Sequence, residues 1–138
     1  MEPEEKLPKE LLEKSKISGK EYGWRKIDFP LVIEAAVENK LAIIGGQVQF
    51  IFNDGTCELY WEKYDTKGKS TLENWKQYVK RTAQECAEQF NKISDEDRLI
   101  KEGINNFDFL KEKSNNEKIN LKEHLWFIIY FEEEYNIK

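Results

Sequence analysis

The chain has 138 residues, of which 22 are basic and 27 are acidic, so its net charge at pH 7 is −5. This length suits one domain with one hydrophobic core, and the acidic balance disfavours sequence-independent binding to nucleic acid or to an anionic membrane. Aromatic residues make up 13% of the chain and charged residues 36%, which argues against a disordered chain and indicates a compact core under a charged surface.

The sequence carries no sign of export. No apolar run approaches the roughly eighteen residues that a membrane span needs, and the opening MEPEEKLPKELLEK is acidic where a signal peptide is basic and then apolar. We therefore expect a cytoplasmic protein. Cys57 and Cys86 are the only cysteines, and we expect two buried, reduced thiols in preference to a disulfide.

Residues 1–20 are highly charged and are interrupted by Pro3 and Pro8. They predict a flexible or loosely docked N-terminal segment, and both a short helix over 8–16 and a frayed tail are compatible with the pattern. Residues 21–138 show no linker and no internal repeat, so we predict that they form a single domain.

The next stretch predicts a helix followed by a strand. Asp28 and Pro30 suit the cap and the first turn of a helix that ends near Lys40. The apolar run 41–44 then predicts a strand. Gly45-Gly46 is compatible either with a tight turn or with a bulge inside one long bent strand, and we favour the bulge slightly.

The stretch QVQFIFNDGTCELYWEKY, residues 47–64, predicts the hairpin on which we expect the sheet to be built. Asp54-Gly55 has the sequence of a tight type I′ turn and separates two alternating runs. Counted outward from that turn, Phe50 faces Leu59 on an apolar face. The opposite, largely polar face carries Gln47, Gln49, Ile51, Glu58, Tyr60, Glu62 and Tyr64.

Two helices are predicted after the hairpin. Ser70 and Glu73 match a capping box, and apolar residues at intervals of three and four predict a long helix over 71–92. Its inward stripe consists of Leu72, Trp75, Val79, Ala83, Cys86, Phe90 and Ile93. Ser94 is the cap of a second helix, which we expect to end near Glu102.

The run 125–132 is short, rich in β-branched and aromatic residues and apolar on both alternations, which predicts a strand covered on both sides. Asn120 and Glu123 also match a capping box, so a helix here stays open as an alternative. Together these elements predict an α+β domain, with a small antiparallel sheet built on the 47–64 hairpin and packed against the 71–92 helix and shorter helices.

The sequence contains no recognisable catalytic or metal-binding set. His124 is the only histidine, and no cysteines or histidines have the spacing of a zinc site. We therefore predict no catalytic residue, no metal site and no cofactor. The alternative is a small enzyme that uses His124 or a carboxylate in a cleft between the sheet and a helix.

Two stretches, GGQVQFIFNDGTCELYWEKYD and STLENWKQYVKRTAQECAEQF, resemble the small acidic α+β proteins that bacteria encode as immunity partners of polymorphic toxins, including contact-dependent systems. The resemblance spans 22–93 and lies in size, acidity and a central hairpin. It implies a non-enzymatic protein, monomeric alone, that binds the C-terminal domain of its cognate toxin and blocks it. A basic toxin such as a nuclease would match the negative charge. A different alternative is a bacterial regulatory or adaptor domain that binds a host protein.

The polar face of the hairpin combines tyrosine with carboxylates and amides, a composition suited to protein recognition. An alternative is that a helix or the C-terminal strand covers part of this face. The predicted toxin interface consists of Glu58, Tyr60, Glu62, Tyr64 and Asp65, with a second patch at Glu132, Glu133 and Glu134. Tyr60 is the expected hot spot.

Overall fold

The structure is a computed structural model and describes residues 2–134. These residues form the helices α1 Lys9–Lys14, α2 Phe29–Glu38, α3 Trp75–Ile93, α4 Glu96–Asn106 and α5 Asp108–Asn115, with short 3-10 turns at Pro3–Lys6 and Leu121–His124. The strands are β1 Lys16–Ser18, β2 Glu21–Trp24, β3 Ala42–Phe52, β4 Gly55–Lys63 and β5 Leu125–Glu132. They make one antiparallel sheet in the order β1-β2-β5-β3-β4, which confirms the predicted α+β class. The last four residues of the predicted domain, 135–138, lie outside the described residues.

The two longest apolar runs form the centre of the sheet. β5 has the predicted bounds and lies between β2 and β3. β3 is a single long strand whose pairing with β5 shifts between Ile43 and Gly45, so the bulge that we favoured is confirmed and the tight turn is excluded. Gly46 has no Cβ, which lets the backbone of β5 approach β3 closely at this point.

The hairpin of β3 and β4 forms, but its register differs from the prediction. Phe52 pairs with Gly55, so the loop is Asn53-Asp54, and neither loop residue has the positive φ that a type I′ turn requires. Phe50 therefore faces Cys57, and the predicted partners are wrong by two residues. A shift of two residues keeps the same side chains on each face of this part of the hairpin.

Side chains of α5 hold the turn in its observed position. Lys113 Nζ binds Asp54 Oδ2 at 2.7 Å, and a Cβ atom on Gly55 would lie 3.1 Å from Cζ of Phe109. The absence of a Cβ at Gly55 therefore lets the Phe109 ring approach closely, while Lys113 fixes the position of Asp54. The hairpin sequence alone does not contain this information.

A second irregularity inserts extra residues into β4. Val48 pairs with Leu59, but the next residue of β3, Gln47, pairs with Lys63. Residues 60–62 therefore form a bulge of three extra residues in β4. Beyond this bulge the strand turns its other side toward the core. Trp61, Glu62 and Tyr64 differ from the predicted alternation for this reason, while Tyr60 is exposed as predicted.

The hydrophobic core lies between one face of the sheet and the helices α2 and α3. At its centre Phe29 stacks on Phe90, with ring centroids 4.0 Å apart, and Phe127 and Tyr64 meet this pair edge-on. The four rings are buried together. This cluster joins α2, α3, the end of the hairpin and β5, so it connects the elements that position the surface described below.

Both cysteines are buried and free, as predicted. Burial raises the pKa of the Cys86 thiol to about 12 and also raises the pKa of Cys57. Both thiols therefore stay protonated at neutral pH and act as small apolar side chains.

The long helix α3 begins later than predicted, because a different capping box is used. Asn74 Oδ1 accepts from the Gln77 N–H and Gln77 Oε1 accepts from the Asn74 N–H, both at 2.8 Å. Ser70 and Glu73 form a local turn instead. Leu72 precedes the helix and is 94% exposed, so its predicted place on the inward stripe is wrong.

The turn before α3 makes the stability of the fold depend on pH. Arg81 donates to both carboxylate oxygens of Glu73, at 2.7 and 3.0 Å, and this bonding lowers the pKa of Glu73 from 4.5 to about 2. Because the folded pKa is depressed, the contribution to stability is present above pH 4.5 and is lost as the pH falls toward 2. We expect Glu73→Gln to lower the urea midpoint at pH 7 and this difference from the wild type to shrink as the pH falls through that range.

Glu34→Gln is the matched control for this measurement, because Glu34 is exposed on α2. It should leave the midpoint unchanged at both ends of the pH range. A difference between Glu73→Gln and the wild type that stayed the same from pH 7 down to pH 2 would contradict the role of the Glu73 charge.

The N-terminal segment packs on the folded body, and its helix α1 agrees with the short helix predicted over 8–16 in preference to the frayed tail. Leu7 and Leu11 are buried in the core, and Trp24 Nε1 donates to the Leu11 carbonyl oxygen at 2.7 Å. β1 and β2 pair with each other and then with β5. Strands of three and four residues are too short to show an alternating pattern, and the sequence analysis missed both.

Candidate functional site

One face of the sheet is turned away from α2 and α3 and carries polar and aromatic side chains. We call it the open sheet face; it consists of Glu21, Gln47, Gln49, Ile51, Glu58, Trp126, Ile128 and Tyr130, of which Gln49, Ile51 and Ile128 are buried. Gln49 pairs with both Glu58 and Trp126, so these residues are neighbours across β4, β3 and β5. The predicted polar face is therefore retained for the first part of the hairpin, and the C-terminal strand extends it.

Hydrogen bonds fix the centre of the open sheet face. Glu21 accepts from Gln47 Nε2 and Gln49 Nε2, both at 3.2 Å, and from the Tyr130 hydroxyl. Burial, and then the hydrogen bond to Glu21, raise the pKa of Tyr130. These side chains are oriented by each other, so the face has a defined shape before any partner is present.

An aromatic pair, Tyr60 and Trp61, is exposed at the bulge of β4. Tyr60 is 63% exposed and Trp61 is 37% exposed, and their rings meet edge-on with centroids 5.0 Å apart. Trp61 stacks on Phe107 at 6.1 Å, and its Nε1–H donates to Glu102 Oε1 at 3.2 Å. Stacking on Phe107 and the hydrogen bond to Glu102 therefore fix the indole, and the indole packs against the more exposed Tyr60 ring.

The structure separates the predicted hairpin interface into two groups. Tyr60 and Asp65 are exposed, and Glu58 is half-buried on the open sheet face. Glu62 and Tyr64 are turned inward by the bulge, so their predicted place on the surface is wrong.

Glu62 is a structural residue between β4 and α4. It is 7% exposed and accepts from Arg98 Nη1 at 2.6 Å, and this bond raises the pKa of Arg98. Arg98 also binds Glu102, the residue that accepts from the Trp61 indole. This partly buried ion pair therefore helps to hold the exposed aromatic pair in place.

Tyr64 belongs to the core, with none of its surface exposed. Its hydroxyl donates to the carbonyl oxygens of Gln47, at 3.0 Å, and Ile128. Burial raises its pKa well above the usual value. The ring fills the space beside Gly46, and so Tyr64 serves the packing of the bulged strand.

The predicted C-terminal acidic patch lies at another end of the sheet. Glu132 pairs with Ala42 and accepts from the Tyr78 hydroxyl at 2.8 Å; burial and this bond raise the pKa of Tyr78 to about 12. Glu133 binds Lys6 at 2.6 Å. Glu134 lines a groove of about 490 Å³ together with Trp75 and three lysines: Lys40, Lys76 and Lys80. Glu132 and Glu133 are thus bonded to neighbouring side chains, and none of the three acids pairs with β4.

His124 lies at a shallow groove of about 350 Å³ beside the hairpin turn. Its Nδ1 is 3.1 Å from the Ile51 carbonyl oxygen and its ring stacks on Phe52 at 4.3 Å. Asp54 and Lys113 line the same groove, and their contact lowers the pKa of the carboxyl and raises that of the ammonium. This ion pair holds a turn together and gives neither a free base nor a free amine.

Sequence reasoning missed Glu21, Trp126 and Tyr130 on the open sheet face. Trp126 lies under the Arg25 guanidinium, 3.7 Å from its ring centroid. The signal was present in β5, where Trp126 and Tyr130 occupy the same alternation. It was hidden because the whole run is apolar.

The part of the chain that the structure describes contains neither a membrane-spanning helix nor a metal-binding cluster. No helix there has the length and apolar composition needed to cross a membrane, and no cluster of three or more His, Cys, Asp or Glu side chains is arranged to hold a metal ion. Comparisons of the chain with protein-family models, curated proteins and solved structures give no match.

Proposed function

We propose that this chain is a protein-binding domain that acts as an immunity protein: it binds the C-terminal domain of a cognate toxin and blocks its active site. The observation that carries the proposal is the exposed Tyr60–Trp61 pair. An aromatic side chain that is already fixed in orientation loses little conformational entropy when it is buried by a partner. Tyrosine and tryptophan are also the residues most often found at the energetic centre of interfaces.

Charge supports a basic partner. Glu58 and Asp65 flank the aromatic pair along the chain and, within residues 2–134, neither is in an ion pair. The chain as a whole carries −5. Opposite charge raises the rate at which two proteins meet, which matters for an inhibitor that must act before the toxin does.

Inhibition of this kind is steric and electrostatic. The docked domain occupies the surface that the substrate of the toxin would use, and for a nuclease its carboxylates take the place of backbone phosphates. No bond is made or broken by this chain, so it needs rigid contacts and no catalytic group. The hydrogen-bonded open sheet face next to β4 supplies a rigid support of this type.

The test is co-expression with the product of the adjacent gene, followed by purification of the complex. We expect a stoichiometric complex with a protein that stops growth when it is expressed alone, and normal growth when both are expressed. A complex with a harmless protein would favour the adaptor alternative. Growth arrest that this chain does not relieve would contradict the proposal.

Tyr60→Ala should weaken binding of the toxin domain by about 2 kcal/mol, a value typical of a hot-spot tyrosine. The thermal midpoint should stay close to that of the wild type because the side chain is mostly exposed. Isothermal titration calorimetry measures the affinity and circular dichroism measures the midpoint. Leu72→Ala is the control, since Leu72 is an apolar residue outside this surface and, at 94%, is even more exposed than Tyr60. If both variants bound as the wild type does, the aromatic pair would not be the interface.

A further inference from the structure

β4 is the longer of the two edges of the sheet. The strand order leaves β1 and β4 with one neighbour each, and β1 has three residues against nine in β4. No strand of residues 2–134 pairs with the outer side of β4. Its outer backbone groups are therefore available to another chain.

The register of the hairpin identifies those groups. Phe52 and Gly55 close the two-residue loop as a hydrogen-bonded pair, and bonded and non-bonded pairs alternate along an antiparallel ladder. The N–H and C=O groups of Thr56 and Glu58 therefore point away from β3. Thr56 is exposed, Glu58 is half-buried, and Cys57 between them is buried.

The bulge limits how far this edge extends. Regular pairing of β4 stops at Leu59, where residues 60–62 leave the ladder. An added strand would therefore be short and would end against Tyr60, which stands 63% exposed at that point. Its side chains on one alternation would lie beside Thr56 and Glu58 on the open sheet face.

The charge on this edge distinguishes between occupants. From Asp54 to Asp65 the chain has four carboxylates and one ammonium group, that of Lys63. Asp54 is paired with Lys113 and Glu62 with Arg98, so Glu58 and Asp65 carry the negative charge that is left for a partner. Two copies paired antiparallel about Glu58 would place two carboxylates directly opposite each other, which is unfavourable. A segment with lysine or arginine opposite Glu58 would instead form a cross-strand ion pair, so the edge fits a basic partner and disfavours a second copy.

We infer that a partner protein adds a short, extended, basic segment to the free edge of β4, with its backbone bonded to Thr56 and Glu58 and its end packed on Tyr60. This inference rests on the proposed function, because it specifies how the toxin domain is held. The affinity then comes from main-chain hydrogen bonds, and the preference for a basic sequence comes from Glu58.

Amide exchange followed by NMR tests the edge in the wild-type chain. The amides of Thr56 and Glu58 should exchange much faster than those of Cys57 and Leu59, which face β3. Addition of a synthetic peptide of roughly eight residues, the length of an ordinary strand, with alternating lysine and valine should protect these two amides. The same peptide with glutamate in place of lysine should bind about tenfold more weakly, because it places like charges opposite Glu58. Equal exchange at all four amides, or peptide-induced shifts elsewhere in the chain, would overturn the inference.

Glu58→Pro removes the outward N–H without removing a bond to β3, a substitution that edge strands accept. It should weaken binding of the lysine–valine peptide by about tenfold, through loss of a backbone bond and of the charge. Glu34→Lys, at an exposed position on α2, changes the charge by more than this variant does and should bind normally. If Glu58→Pro fails to fold, the wild-type exchange experiment still decides.

The two proposals fail in different ways. If the toxin domain binds Glu58→Pro as tightly as the wild type while Tyr60→Ala loses affinity, strand addition is wrong and the proposed function stands. If the basic peptide protects the edge but the adjacent gene product neither binds nor stops growth, strand addition stands and the toxin-neutralising function is wrong.

Discussion

Gly46→Ala should prevent folding or lower the free energy of unfolding by about 4 kcal/mol or more, a loss that few mechanisms produce. A methyl group at this position would overlap the Ile128 carbonyl oxygen and the Tyr64 ring, and it would lie 2.9 Å from the Ile128 carbonyl carbon. Ile128 is part of β5 at the centre of the sheet, so its backbone cannot withdraw without breaking the pairing of β3 with β5. Circular dichroism and urea titration measure the effect.

Gly68→Ala is the control for this substitution. No atom lies within 4 Å of the position that its Cβ would occupy, and the residue is exposed. It should keep the urea midpoint of the wild type. A Gly46→Ala variant with the same midpoint as Gly68→Ala would mean that β3 does not pack on Tyr64 and β5 as described.

Phe29→Ala should lower the free energy of unfolding by about 3–5 kcal/mol, the usual range for removal of a buried phenylalanine. Phe29 is fully buried and contacts Phe90, Phe127 and Tyr64, so the cavity would lie where α2, α3 and the sheet meet. Urea unfolding monitored by tryptophan fluorescence measures this loss.

Tyr60→Ala is the comparison for Phe29→Ala. It also removes an aromatic ring, but an exposed one, and should change the free energy of unfolding by less than about 0.5 kcal/mol. The two variants should thus separate folding from recognition. A loss of several kcal/mol for Tyr60→Ala would instead place this ring in the core and remove it from the proposed interface.

The features that sequence predicted well are those set by local pattern. β5 was predicted correctly because a short apolar run rich in aromatic and β-branched residues is typical of a buried strand. The bulge near Gly45 was one of two conformations that the Gly45-Gly46 pair allowed, and it was slightly favoured over a tight turn. The α+β class followed from these strands together with the amphipathic pattern of α3.

The features that sequence missed depend on contacts distant along the chain. The hairpin turn is fixed by Lys113 and Phe109, more than fifty residues away. The start of α3 was decided between two capping boxes that look alike in sequence. Leu7 and Leu11 of the N-terminal segment are buried in a core cluster together with residues of β2, α2 and β5.

The candidate site was predicted in part for the same reason. Glu58 lies before the bulge of β4 and has the predicted orientation, and Tyr60 lies on the bulge and is exposed. Glu62 and Tyr64 come after it and face inward. Nothing in the alternation of the sequence indicates that residues 60–62 leave the ladder, so the predicted orientation is wrong for Trp61, Glu62 and Tyr64.

The bulge of β4 leaves position 60 freer to vary in sequence than the positions on either side of the bulge. Leu59 on one side and Tyr64 on the other are anchored in the interior, while Tyr60 projects from the segment between them. A change at position 60 alters the outline offered to other molecules without disturbing either anchor. Related chains with a different residue here would be expected to keep the same body and recognise a different target, so that new pairings can arise one substitution at a time.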